Sequence, residues 1–376
     1  MLDFLAADRA FLAEKDAEIQ ELQAQISALE RAISLLHAAR KPAQERLNSY
    51  KYPILTLPNE IIAEIFLQFL PPYPSAPPLL GALSPTRLTH ICRRWRDIAC
   101  KTPELWRAID MDPMNDDQLP MSLDRTIFLT GLWASRSGHC PLSIRLGAYH
   151  DPLSTLAPLI PHRDRWEHLT LRIENTRPLR AIQGAFPLLK SFDIRLGSPI
   201  SDDVVVTLQN LPLLSTVVLD DFRTPHISLP WSQLTSLTLS WIYIEHCISI
   251  LRQTTHLVHC TFDLYFHPGT QNDFVELVLP QLETLDVQTD AVSPLYGHFF
   301  QCLVAPALQH LRIPEHLLQP NPIESLSSFI SRSGCHLDEL RVTEAYVSQN
   351  AYRNAFSAIP DIKMERAESE SESESD

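Results

Sequence analysis

Between residues 166 and 342 one short phrase recurs eight times, and it leaves few folds open. The phrase has the form ΦxxΦxΦ, where Φ is apolar: WEHLTL (166–171), LKSFDI (189–194), LSTVVL (214–219), LTSLTL (234–239), LVHCTF (257–262), LETLDV (282–287), LQHLRI (308–313) and LDELRV (337–342). Its fourth positions are Leu169, Phe192, Val217, Leu237, Cys260, Leu285, Leu311 and Leu340, at intervals of 23, 25, 20, 23, 25, 26 and 29 residues. A period in this range marks an array of stacked coils, each able to bury its apolar face only against its neighbours. The alternation inside the phrase is that of a strand with one buried face. The segments between phrases, such as PLRAIQGAFPLL, DDVVVTLQNLPLL and HCISILRQTTHL, have the apolar spacing of a helix or short turns. An ordinary α/β sheet does not explain such recurrence.

The array resembles the leucine-rich-repeat proteins, although the Asn or Cys of the stricter repeat consensus is mostly missing. The expected fold is an α/β solenoid of leucine-rich-repeat type over residues 166–362, with short parallel strands inside and helices outside. Side chains flanking the fourth and sixth positions then face outward, because strand side chains alternate. They offer a candidate substrate surface: Arg172, Arg195, Arg312 and Arg341 toward the ends, Asp220, Asp263 and Asp286 in the middle, and Trp241 and Tyr243 as an aromatic anchor of the kind that dominates interface energy. A solvated sheet face is polar in any case.

A second stretch, residues 54–111, is organised differently. At 100° per residue, Ile61, Ile65, Phe69, Ile62, Phe66 and Leu70 span nearly half of a helical cylinder, with Glu60, Glu64 and Gln68 opposite. An ordinary surface helix carries an apolar stripe of about 100°. Ser84 and Pro85 open a second expected helix in which Leu88, Ile91, Cys92, Trp95 and Ile98 recur at helical spacing. The turn Thr102-Pro103-Glu104-Leu105-Trp106 follows. About fifty residues cannot bury so much apolar surface alone, so one face must dock elsewhere, on the following domain or on another protein.

LPxEIxxxIF, CRxWRxIA and TPxLW resemble the F-box, as in the F-box proteins numerous in fungi. The resemblance implies that the first helix and the preceding Leu-Pro bind a Skp-type adaptor, which tethers the protein to a cullin–RING ubiquitin ligase. By position, the implied contacts are Leu57, Pro58, Ile61, Ile65, Phe66, Ile91, Cys92 and Trp95. The connection PPYPSAPP (71–78) is longer and richer in proline than the compact motif needs. The alternative is a three-helix cap on a larger domain, with Trp95 and Trp106 as core.

Residues 1–41 carry Leu5, Leu12, Ile19, Ile26 and Ile33 seven apart, with Leu22, Leu29 and Leu36 between them, the a/d seam of a coiled coil. Asp8 and Lys15 at earlier d positions fray it, and Pro42 is expected to end the helix before a linker at 42–53. A dimeric coil and a helix folded back on its own domain both satisfy this pattern. Residues 112–165 read as a transition with repeat-like units. The tail 363–376, ending in alternating Ser and Glu, has nothing to bury and is expected to be disordered. Ser369, Ser371 and Ser373 each have an acid three positions on, resembling acidophilic kinase sites.

The formal net charge is −14, which argues against nucleic acid as a partner. The amino terminus has no secretory pattern, and no stretch reads as a membrane span. Seven cysteines without a CxxC pair fit reduced thiols, hence cytoplasm or nucleus. Nine glycines, none closer than seven positions to another, leave no phosphate-cradling loop and no cofactor site. The tightest His/Cys cluster is His256, His259 and Cys260, but strand alternation sends His259 and Cys260 to opposite faces, so no metal is expected. No nucleophile–base signature is visible. The expected protein is a non-catalytic adaptor: its F-box docks on the ligase and its repeats hold a protein substrate. The alternative is an interaction scaffold without ligase function.

Overall fold

The computed structural model describes residues 2–49, 53–111, 122–147, 152–174, 177–182, 184–197, 206–208, 210–221, 227–265, 276–289 and 294–366. The chain falls into two compact units, Met1–Ile62 and Ala63–Asp376.

The first unit is dominated by helix α1 (Leu2–Ser49), followed by a 3-10 turn at Pro53–Thr56 and the start of α2 (Asn59–Gln68). The expected stop at Pro42 does not occur, and the helix runs on through it. Proline removes one helical hydrogen bond and crowds the preceding turn, yet α1 absorbs the loss within its length. The linker is correspondingly shorter than 42–53. The seam is open: Ile19, Leu22, Ile26, Leu29, Ile33 and Leu36 are all at least half exposed.

The second unit continues through α3 (Arg93–Cys100) and a 3-10 turn at Pro103–Trp106 into strand β1 (Ala108–Met111). There follow α4 (Leu123–Arg136), β2 (Leu142–Leu146), α5 (Pro152–Leu156), β3 (Trp166–Ile173), α6 (Arg177–Ala181), β4 (Ser191–Leu196), β5 (Val206–Thr207), β6 (Thr216–Asp220), β7 (Ile227–Ser228) and β8 (Ser236–Tyr243). Then come α7 (Ile244–Leu251), β9 (His259–Tyr265), β10 (Leu277–Val278), β11 (Thr284–Gln288), α8 (Pro294–Cys302), β12 (Leu303–Val304), β13 (His310–Pro314), α9 (Pro322–Ser333), β14 (Glu339–Ala345), α10 (Gln349–Ala355) and β15 (Asp361–Arg366).

Eleven of these strands form one sheet in the order β1-β2-β3-β4-β6-β8-β9-β11-β13-β14-β15, every pair parallel. All eight fourth positions of the phrase lie in one row: Leu169↔Phe192↔Val217↔Leu237↔Cys260↔Leu285↔Leu311↔Leu340. Ile109 and Ile144 extend the row at one end and Ile362 at the other. These three are fourth positions of WRAIDM (106–111), PLSIRL (141–146) and IPDIKM (359–364). The row and the first position of each phrase, from Trp166 to Leu337, are buried to 5% exposure or less. Such close packing of apolar area is the main stabilising term of the unit.

Between strands the chain returns by short helices or by two-residue strands, β5 paired with β7 and β10 with β12. The crossover from β4 to β6, expected as helix or short turns, contains β5 among its described residues, because Val206 and Thr207 pair with Ile227 and Ser228. Helix α9 shows how local sequence punctuates these crossovers. Pro322 sits in its first turn, where a missing N–H costs nothing, and Gly334 ends it at φ 65°, donating its N–H to the Ile330 carbonyl. Strand β15 takes in residues 363–366 of the expected disordered tail, because Ile362 and Met364 pair with Leu340 and Val342. Ser369, Ser371 and Ser373 lie outside the described residues.

The passage from the helical stretch into the sheet is continuous. Trp106 and Trp133 meet edge to face at 5.4 Å, the Trp106 indole N–H donates to the Ala99 carbonyl at 2.8 Å, and the Arg136 guanidinium lies 4.6 Å from the Trp106 ring. Trp106 and Ile109 are both fully buried, so the closing turn of the 54–111 stretch shares its core with β1 and α4.

Candidate functional site

Helix α2 splits its wide apolar arc into two faces. Ile62 and Phe66 are buried, whereas Ile61, Ile65 and Phe69 remain 49%, 42% and 39% exposed. These three recur at i, i+4 and i+8, which makes one stripe along the helix. Pro58 is exposed just before it and Leu57 half-buried. Phe66 was expected at a contact with a partner. It is 1% exposed instead, its ring 4.9 Å from Trp95 in an edge-on contact, so it supports the helix from behind.

The second expected helix is broken. A 3-10 helix covers Pro85–His90, Cys92 is extended at φ −154° and ψ 168°, and α3 begins at Arg93. Two caps account for this. Ser84 Oγ accepts from the Thr86 N–H at 3.2 Å, and Cys92 Sγ accepts from the Trp95 N–H at 3.5 Å, satisfying donors at each start. The Arg96 Nε–H donates to the Thr89 carbonyl at 2.8 Å, clamping the halves. Cys92 is therefore a capping residue, and Trp95 packs on Phe66. Ile91, at the break, is 55% exposed, as is Leu83 at 64%. Leu83 was not singled out from sequence, since it falls outside any helical period.

The proline-rich connection is anchored. Tyr73 donates its hydroxyl to Glu167 Oε2 at 2.7 Å, its ring stands edge-on to His168 at 5.5 Å, and the Arg107 guanidinium covers it at 4.0 Å. Lys190 donates to the other Glu167 oxygen at 2.6 Å, and Ser143 Oγ donates to the Pro74 carbonyl at 2.8 Å. Burial and the hydrogen bond to Glu167 push the Tyr73 phenol up. Burial alone would raise the Glu167 carboxyl, but the hydrogen bonds from Lys190 and Tyr73 outweigh it and hold the group below its ordinary value. Strands β2 and β3 thus fix the loop that follows α2.

On the outward face of the sheet the basic ends and the acidic middle are joined by ion pairs, most of them across strands. Arg195 pairs with Asp220, Arg312 lies 3.6 Å from Asp286 and 3.1 Å from Glu365, and Arg341 lies 3.1 Å from Glu339 and 3.7 Å from Glu365. Parallel register places outward residues of neighbouring strands about 4.8 Å apart, close enough for opposite charges to meet. Exposed pairs of this kind contribute about 0–1 kcal/mol each. Arg195, Asp220, Asp286, Arg312 and Arg341 therefore lace the sheet together and do not stand as separate charges. Arg172 is exposed on β3 and Asp263 half-buried on β9.

Trp241 and Tyr243 lie within β8, with Tyr265 of β9 beside them. Ring centroids are 5.6 Å apart for Trp241–Tyr265 and 5.8 Å for Tyr243–Tyr265. Tyr265 was missed from sequence, although strand parity from Cys260 places it outward. Cys260 is buried and His259 exposed, on opposite faces of β9. Among the described residues no group of three His, Cys, Asp or Glu side chains could hold a metal ion, and no helix is long and apolar enough to cross a membrane.

Against known proteins, a family model described as F-box-like matches residues 54–112. No curated protein matches the chain. The half-open helix α2, the capped break at Cys92 and the Trp106 turn all fall within the matched residues, so this stretch is an F-box-like domain, and it leads into a large parallel sheet of eleven strands.

Proposed function

We propose that the chain is the substrate receptor of a Skp–cullin–F-box ubiquitin ligase. The observation that carries this reading is the stripe Ile61, Ile65 and Phe69, left exposed on an F-box-like helix whose opposite face is buried. An adaptor of Skp type would cover that stripe together with Leu57 and Pro58, with Ile91 as a further contact. The sheet array, read as a leucine-rich-repeat solenoid from its period and its single ladder, would hold the protein substrate near a ubiquitin-conjugating enzyme. Catalysis is then proximity: the receptor raises the effective concentration of a substrate lysine and supplies no reacting side chain. The working place of such a ligase is the cytoplasm or nucleus. The open seam of α1 supports a second contact, a two-stranded coil between copies, since Ile at a with Leu at d favours two strands.

The test is co-purification with a Skp-type adaptor after Leu57, Pro58 and Ile65 are replaced together by Ala. Adaptor capture should fall to background while the melting midpoint holds, because Pro58 and Ile65 are exposed and Leu57 is only half-buried. Unchanged capture would sink the reading. The scaffold alternative draws on the shared Trp106–Trp133 core, which makes the helical stretch a cap on the sheet. Under that alternative, the triple variant leaves every interaction of the chain intact.

A further inference from the structure

The outward positions of the central strands are mostly small or acidic, with one exception. At the carboxyl ends of β8 and β9 the rings of Trp241, Tyr243 and Tyr265 gather, Trp241 41% and Tyr265 36% exposed. Tyr243 and Tyr265 are register partners, so the cluster belongs to two adjacent strands.

The backbone leaves the regular ladder at the indole, as it does at the equivalent position of β14, where Glu344 is left-handed inside a bulge. Register skips between Leu239 and Ile242, and inside that bulge Trp241 adopts φ 55°. This left-handed conformation is costly for a bulky side chain and free for glycine. A bulge re-aims the side chain it carries, here the indole.

Charge decides what the rings would hold. The four strands β6, β8, β9 and β11 carry Asp220, Asp263 and Asp286 and not one Lys or Arg. The flanking arginines, Arg195 on β4 and Arg312 on β13, are each drawn to an acid of this group, Asp220 and Asp286. Asp263 lies between those two pairs, two residues before Tyr265 and on the same side of its strand. Aromatic faces beside a carboxylate attract a cation, and they attract guanidinium most, because it is planar and weakly hydrated.

We propose that Trp241, Tyr243, Tyr265 and Asp263 form a receptor site for an extended protein segment bearing an exposed arginine. The guanidinium stacks on the Trp241 or Tyr265 face and Asp263 balances its charge. The site rests on the substrate-receptor reading and gives that reading a substrate class: arginine-containing, unstructured segments. Acidic or phosphorylated segments are disfavoured by the same three aspartates.

The experiment probes the purified full chain on an array of short Gly–Ser peptides, each carrying a single Arg, Lys, Leu or Glu, alongside Trp241→Gly and Asp263→Asn variants. The wild-type chain should bind Arg spots best and Lys spots next. Trp241→Gly should lose about tenfold in Arg binding, while its melting midpoint stays or rises because φ 55° suits glycine. Asp263→Asn should narrow the margin of Arg over Leu. Binding that favours Glu or Leu spots, shows no preference, or survives Trp241→Gly overturns the proposal. Adaptor capture is measured on the same preparations. Intact capture beside a failed array removes this site alone and leaves the receptor reading standing, whereas failed capture removes the receptor reading and the array then decides the site by itself.

Discussion

The Tyr73 hydroxyl lies 2.7 Å from Glu167 Oε2, binding the proline-rich connection of the F-box-like domain to the third strand of the sheet. The contact joins residues 94 positions apart. Tyr73→Phe keeps the ring against His168 and Arg107 and removes one hydrogen bond to an ionised acceptor. A loss of about 1.5–3 kcal/mol is expected in denaturant unfolding. A change below the resolution of the measurement would mean that Lys190 alone satisfies Glu167.

Acid should weaken the region around this anchor in two steps. Burial holds His168 and His162 below their ordinary value of 6.5, and the partners of Glu167 hold it below 4.5. All three pKa values are lower folded than unfolded, so the unfolded chain binds more protons in acid. Stability from these groups is present above the unfolded values and is lost as pH falls, from 6.5 downward for the histidines and from 4.5 downward for Glu167. Denaturant midpoints across this range should decline accordingly. Glu167→Gln should flatten the lower part of the curve, and an unchanged slope would assign it to other carboxylates.

Glu315 is fully buried near the carboxyl end of the array, accepting from the backbone N–H groups of Tyr346 and Val347 and from the Tyr352 hydroxyl at 3.0 Å. Glu315→Ala leaves three donors without an acceptor and should cost about 3–5 kcal/mol. Tyr352→Phe removes one donor and should cost about 1–2 kcal/mol. Thermal unfolding of both variants checks the ordering, and a Glu315→Ala loss no larger than that of Tyr352→Phe would show that the carboxylate is not the organising group.

The α1 seam predicts self-association. Light scattering should give a dimer for the full chain and a monomer for Ile26→Asp, since a charge at a central a position is incompatible with a dry seam. Pro42→Ala restores the N–H facing the Ala38 carbonyl and should raise helicity, by up to about 3 kcal/mol at that position. A wild-type chain that stays monomeric at high concentration would remove the coil.

Periodicity makes the sheet legible in the sequence, because a phrase fixes which side chains face inward and equal phrases must stack in equal register. The same argument reaches Ile109 and Ile144, whose segments alternate like strands in the sequence, yet their place in the row is not given by the period. Their fourth positions are 35 residues apart (144 − 109), outside the period, because α4 and residues 112–121 intervene. The α2 stripe was legible as surplus apolar arc, but which half of it would be buried was not. Phe66 and Ile65 are equally apolar, and only Trp95 packing on Phe66 separates them. The break at Cys92 was invisible, because a thiol capping an N–H leaves helical spacing unaltered on either side. The ion pairs needed strand register: Arg312 and Glu365 are 53 residues apart in the chain.

Strand β15 is the last of the eleven, and its outward side chains are Asp361, Lys363 and Glu365, each exposed. An open edge of parallel backbone invites a neighbour's strand to pair and continue the growth. Alternating charge along this edge penalises an identical copy laid in register, since like would face like at every rung. Two copies meeting through their β15 strands are thereby disfavoured.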